Sequence, residues 1–188
     1  MKELFLQDIP LSLIRHNDLP CYNKEGFGGC KIEMWPMYNF FRQYLDNKKE
    51  SARQNFENWY REQLTKYHAS PKSEGGMRHG SLYQLIEKRC NAPFSKVEEG
   101  CKDEVIRERV GQRFKMLEDI QNQGYKVNET ERIDAVRKNE LIYLKGGHHR
   151  AAALSALGKT ELPGVLVFPN QLVYNMIRFW RWIKYDNI

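Results

Sequence analysis

Leu141-Ile142-Tyr143-Leu144-Lys145-Gly146-Gly147-His148-His149-Arg150-Ala151-Ala152-Ala153-Leu154 runs from an apolar strand through two glycines into a helix. That order has a chemical use. A helix start carries backbone N–H groups with no intrahelical acceptor and the positive end of the helix dipole, so it suits an anion. Glycine lets the backbone approach a ligand with no Cβ in between. Arg150, in the first turn, can set its guanidinium against phosphate oxygens through two parallel bonds, which lysine cannot match. The small residues Ala151, Ala152 and Ala153 let the helix lie close to a sheet. The same stretch also reads as a plain strand-to-helix turn with two polar histidines, because short glycine motifs recur by chance.

Outward from this loop the pattern alternates. Residues 133–136 and 141–144 form two short strands joined across Lys138-Asn139, a hairpin signal. The helix after the glycines spans 150–157 and closes at Gly158. A third strand follows at 163–168, then an aromatic helix at 171–182 whose stripe Val173, Met176, Ile177 and Trp180 has the spacing of a core-facing side. Upstream, a long helix at 103–123 buries Ile106, Val110, Phe114, Leu117 and Ile120, with Gly124 as its cap. The first residues, 4–14, read as a strand broken at Pro10 and continued by a second apolar piece. Between them lie helices at 37–45, 50–67 and 82–88. The second of these places Ala52, Phe56, Trp59, Tyr60, Gln63 and Tyr67 on one side.

The fold class is therefore α+β: a small mixed sheet, flanking helices and a large helical insertion. The organisation expected is one domain over 1–188, with a mainly helical insertion at 21–103, a core at 104–168 that carries the glycine loop and a C-terminal helix at 169–188. A hydrophobic share of 41% against 29% charged residues excludes a disordered chain. The net charge of +6 is compatible with phosphate-bearing ligands but too small for a nucleic-acid coat. Much of it is interleaved with acids, as at Glu57, Arg61, Glu62 and Lys66, a solvated helix surface. Cys21, Cys30, Cys90 and Cys101 show no CxxC spacing and no zinc or disulfide framework. With no signal-like start and no apolar run of membrane length, the expectation is a reducing, cytoplasmic setting, four unpaired thiols and no membrane.

Three pieces of the chain resemble the ParB/sulfiredoxin superfamily, in the family's order. Asp8-Ile9-Pro10-Leu11-Ser12-Leu13-Ile14 is similar to its opening strand, and RFKMLEDIQNQG (residues 113–124) to the helix before its core. GGHHRAAALSALGKTELPGVLVF (146–168) is similar to its phosphate loop, helix and strand. The resemblance covers under half the chain. It implies a nucleotide, ATP or CTP, held by Gly146, Gly147, His148, His149 and Arg150, with Mg²⁺ bridging the phosphates. Sulfiredoxins carry a cysteine where this chain has His148, so that chemistry lacks its nucleophile. The helix-turn-helix of the chromosome-partitioning members has no counterpart, which argues against sequence-specific DNA reading.

The small-molecule kinases of the superfamily, similar to its free-serine kinases, fit best. They imply a phosphotransferase acting on a small hydroxylated substrate, with Asp18 as base beside His16 and with His148 contacting the transferring phosphoryl group. Asn17-Asp18 reads equally as a turn before Pro20. A non-enzymatic nucleotide-gated regulator or DNA-associated protein is the alternative. A second loop, with Lys72, Arg78 and His79 around Gly75-Gly76, offers a place for the acceptor's anionic group, or is a surface connection. The acceptor, the choice of ATP or CTP and the oligomeric state are left open.

Overall fold

The alternation of apolar residues around the loop is resolved into two faces of one sheet. The computed structural model describes residues 6–15, 30–69, 80–127 and 133–185, apart from the side chains of 66–69, 80–81 and 181–185. The strands are β1 (Leu6–Pro10), β2 (Ile14–Arg15), β3 (Ile133–Lys138), β4 (Leu141–Leu144) and β5 (Glu161–Phe168). They lie side by side in the order β1-β5-β3-β4-β2. β1 runs antiparallel to β5, β5 parallel to β3, β3 antiparallel to β4, and β4 parallel to the two-residue edge strand β2. The β3–β4 turn is the one read from the sequence: Lys138 pairs with Leu141, and Asn139 takes a positive φ of 55°.

The helices are α1 (Pro36–Leu45), α2 (Lys49–Ala69), α3 (Gly80–Cys90), α4 (Glu99–Gln123), α5 (His148–Ala156) and α6 (Gln171–Tyr185). α4 begins before residue 104, so the long helix spans the expected boundary between insertion and core. On one sheet face Ile133, Ala135, Ile142, Leu144, Val165 and Val167 join a single core with the inserted helices. Ala151, Ala152 and Ala153 are all fully buried there, the close approach that small residues permit. Phe41, Phe56 and Phe114 meet edge-on with centroids 5.8–6.4 Å apart. Each buried ring of this kind stabilises the fold by roughly 1.5–3 kcal/mol. Polar ties fix the layers. Arg42 on α1 donates to the Ala156 carbonyl at 3.1 Å, closing the far end of α5, and Arg61 on α2 donates to Asp103 at 2.8 Å. The insertion is thus built into the core that supports the loop.

The opposite face is thinly covered. Among the described residues, Val136, Leu166 and Phe168 form a small cluster against Val173, Tyr174 and Ile177 of α6. Met176 and Trp180, expected on the buried stripe, are 53% and 67% exposed, with Leu172 and Phe179 beside them. The correction has a simple cause: three sheet residues offer room for about one turn of helix, and the apolar stripe is longer than that. A second correction concerns the cysteines. Cys90 and Cys101 form a disulfide joining the end of α3 to the start of α4, and Cys30 is disulfide-bonded as well. A separation of 11 residues matches no metal or redox motif, and only the antiparallel docking of α3 on α4 brings the two sulfurs together. No helix among the described residues is long and apolar enough to cross a membrane.

Candidate functional site

β4 ends at Leu144, and the Lys145 N–H donates to the Asp134 carbonyl at 2.8 Å, so the hairpin holds the loop's first residue. The two glycines then play different parts. Gly147 caps α5 in the left-handed region, at φ 72° and ψ 12°. A Cβ there would lie 2.6 Å from Ile133 Cδ1, so glycine is required by conformation and by packing. At Gly146 a Cβ would meet nothing within 4 Å. Of the two loop glycines only Gly146 borders open space, where a ligand can use the missing side chain.

α5 starts at His148, and its first internal bond is from Ala151 N–H to the Gly147 carbonyl at 3.0 Å. A glycine N-cap brings no side-chain oxygen to the helix start. The backbone of His148, His149 and Arg150 therefore forms the positive end of the helix. Their side chains diverge. The His148 ring lies against Trp35, with centroids 5.7 Å apart, and the His149 ring faces Phe56 at 6.5 Å, nearly parallel. Both histidines thus turn into the helical layer, where Trp35 is itself pinned by donating to the Cys30 carbonyl at 3.0 Å. Arg150 turns the other way, its Nη1 reaching 3.5 Å from the Tyr125 hydroxyl. It borders a cleft of about 330 Å³ between α4 and the chain after Gly124, which Lys115, Asp119, Tyr125 and Lys126 also line.

α4 supplies what the loop alone does not. Burial holds the Arg113 guanidinium below the usual arginine value. Tyr60 on α2, which accepts a hydrogen bond from it, opposes this, while the like charges of Arg109 and Arg150 reinforce it. Arg113 Nε is buried with no hydrogen-bond partner among the described residues. Burial pushes the Tyr60 phenol up, against the lowering effect of Arg113. The groups that set the electrostatics of Arg113 are thus a phenol and two cations, none of them a carboxylate. Holding the Arg113 guanidinium out of water is costly, and an incoming anion offsets that cost.

Gly146, Gly147, His148, His149 and Arg150 share the turn into α5, with the two histidine rings facing the helical layer and Arg150 facing Tyr125. Asp18, His16, Lys72, Arg78 and His79 lie outside the described residues. The chain leaves β2 at Arg15, however, and β2 is parallel to β4, so it departs at the sheet end where β4 opens into the glycine loop. Arg109, Arg113 and Tyr60 are the additions. The first two carried a signal: each has the other four residues away and no acid at three or four in either direction, an uncompensated like-charge pair beside a buried stripe. The chain matches no family model, no curated protein and no solved structure.

Proposed function

We infer that the chain is a ParB/sulfiredoxin-like nucleotide-binding phosphotransferase that holds ATP or CTP by its phosphates at the start of α5. The observation that carries this reading is the buried Arg113 guanidinium, its Nε without a hydrogen-bond partner among the described residues, with the charge of Arg150 from the first turn of α5 acting on it. Two guanidinium groups and a helix N-terminus match a polyphosphate far better than a single carboxylate. The strand, glycine loop, helix and strand, in the order the resemblance requires, support the same fold assignment. The cleft beyond Arg150, with Tyr125 and the apolar part of Met116 on its wall, is of a size for the nucleoside end.

In this reading Mg²⁺ arrives on the phosphates and bridges them, as is usual for that cation. Asp18, three residues beyond β2, takes the proton of a small hydroxylated acceptor. His148, whose ring lies against Trp35, has to turn out of the helical layer to reach the transferring phosphoryl group. The cytoplasm supplies the nucleotide, and there the Cys90–Cys101 bond has to survive reduction, since disulfides persist mainly in oxidising compartments. Mass spectrometry of alkylated protein taken from cells decides that point. The activity test is direct: incubation with ATP or CTP and Mg²⁺, with and without a pool of hydroxylated metabolites, should release nucleoside diphosphate only with the pool. Tight binding without turnover in any pool would leave the nucleotide-gated regulator in its place.

A further inference from the structure

A second cleft, of about 390 Å³, lies between α3 and α4, away from the glycine loop. Leu85 and Val105 give it an apolar wall, and Lys88, Arg89, Arg109 and Glu108 give it charge. Its polar groups form a chain. Arg109 donates to Gln112 at 3.2 Å, Gln112 donates to Glu108 Oε1 at 3.1 Å, and the other Glu108 oxygen is held by Arg89. Glu108 is therefore occupied on both oxygens and orients Arg89 across the cleft. The two walls are covalently fixed as well, since the Cys90–Cys101 disulfide follows directly on Arg89. Such a site is organised before any ligand arrives, which lowers the entropic cost of binding.

We propose that the α3–α4 cleft binds the phosphate group of a small phosphate monoester, which is the acceptor of the transfer. Three cations and one carboxylate line it, leaving two positive charges (3 − 1 = 2). A phosphate monoester carries about −1.5 to −2 at neutral pH, so the charges match, whereas a monocarboxylate leaves one cation over. The dipole of α3 favours Lys88 and Arg89 in its last turn whatever the ligand. It does not account for Arg109, in the middle of α4. The volume falls at the lower end of small-ligand pockets, roughly 300–1,000 Å³, so the ligand is metabolite-sized. Gln112 lines this cleft and also the one beside Arg150. A molecule anchored by its phosphate on one side of that residue extends toward the nucleotide on the other.

The acceptor role rests on the nucleotide reading; the ligand class rests on the cleft alone. Calorimetry on the full chain separates the two, with glycerol 3-phosphate as the hydroxylated monoester, glycerol as its neutral control and ATP as the nucleotide. The double variant Lys88→Gln/Arg89→Gln should weaken glycerol 3-phosphate binding at least about tenfold, the loss expected for charge-assisted bonds, and leave ATP unchanged. Arg150→Ala should do the reverse. Lys88→Gln alone, at an exposed position, gives the same direction should the double variant fail to fold by circular dichroism. No binding of the monoester, binding shared by glycerol, or affinity indifferent to Lys88 and Arg89 overturns the proposal. If ATP binds in no form while the monoester follows Lys88 and Arg89, the cleft stands and the nucleotide reading falls.

Discussion

The two sides of the proposed phosphate site were written into the chain in different ways. The loop side, Gly146 to Arg150, is contiguous, and its five residues do their work through one local conformation. The α4 side is made by a helix whose register is set elsewhere, by Val110, Phe114 and Leu117 entering the core. Arg113 reaches that site only because this register turns it toward Tyr60. A local site can be removed by changing its backbone. A site made by packing has to be tested one charge at a time.

The largest effect should come from Gly147→Ala. It forces a side chain into the left-handed region and against Ile133. The conformational part is about 1–2 kcal/mol and the overpacking part about 1–3 kcal/mol. Urea unfolding should show a loss of roughly 2–5 kcal/mol. A loss below about 0.5 kcal/mol, the ordinary scatter of surface substitutions, would mean that the loop does not depend on this backbone. Next, pyrophosphate should stabilise the unliganded protein, because it offsets the burial of Arg113 next to Arg109 and Arg150. At a hundredfold excess over its dissociation constant the gain is about 2.7 kcal/mol, read as a rise in Tm. The gain should shrink in Arg113→Lys, which keeps the charge and loses the planar fork. Equal stabilisation of both proteins would remove α4 from the site.

Arg150→Ala comes third. One charge-assisted pair contributes about 1.5–3 kcal/mol, so ATP or CTP affinity should fall about tenfold to a hundredfold. Arg150→Lys should restore part of it, and His148→Ala should cost turnover more than binding. Unchanged affinity in Arg150→Ala, with the fold intact by circular dichroism, returns the loop to a simple turn.

How much of this was legible follows the same division. The hairpin at Asn139, the Gly124 cap and the buried stripe of α4 were readable because each depends on residues within a turn or two of one another. The two-residue strand β2 was not, since its pairing with Ile142 and Tyr143 is decided across more than a hundred residues of chain. Met176 and Trp180 misled for a related reason. Helical periodicity shows that a stripe is apolar, not how much of it finds a partner, and here, among the described residues, the sheet face meets α6 at Val173, Tyr174 and Ile177. The Cys90–Cys101 pair belongs to the same class, because helix docking and not spacing made it. Arg109 and Arg113 stood in between: the like-charge pair was visible, the direction it faced was not.

The smallest effect on stability makes the sharpest test, because the two glycines part company at Gly146. Its φ lies outside the positive range, so alanine fits the backbone, and the added Cβ meets nothing within 4 Å. Replacing glycine where the conformation is compatible stabilises a protein by about 0.4–1 kcal/mol, through the reduced freedom of the unfolded chain. Gly146→Ala should therefore leave stability unchanged or slightly raised. If a phosphate approaches the loop as proposed, that same methyl occupies the space it needs, and nucleotide affinity should fall while the protein grows no weaker. Opposite signs on stability and affinity cannot arise from misfolding, which moves both down together. A variant that is stabilised and binds ATP and CTP as the parent does would show that nothing comes close to the loop at this residue, and the case for the start of α5 would then rest on Arg113 and Arg150.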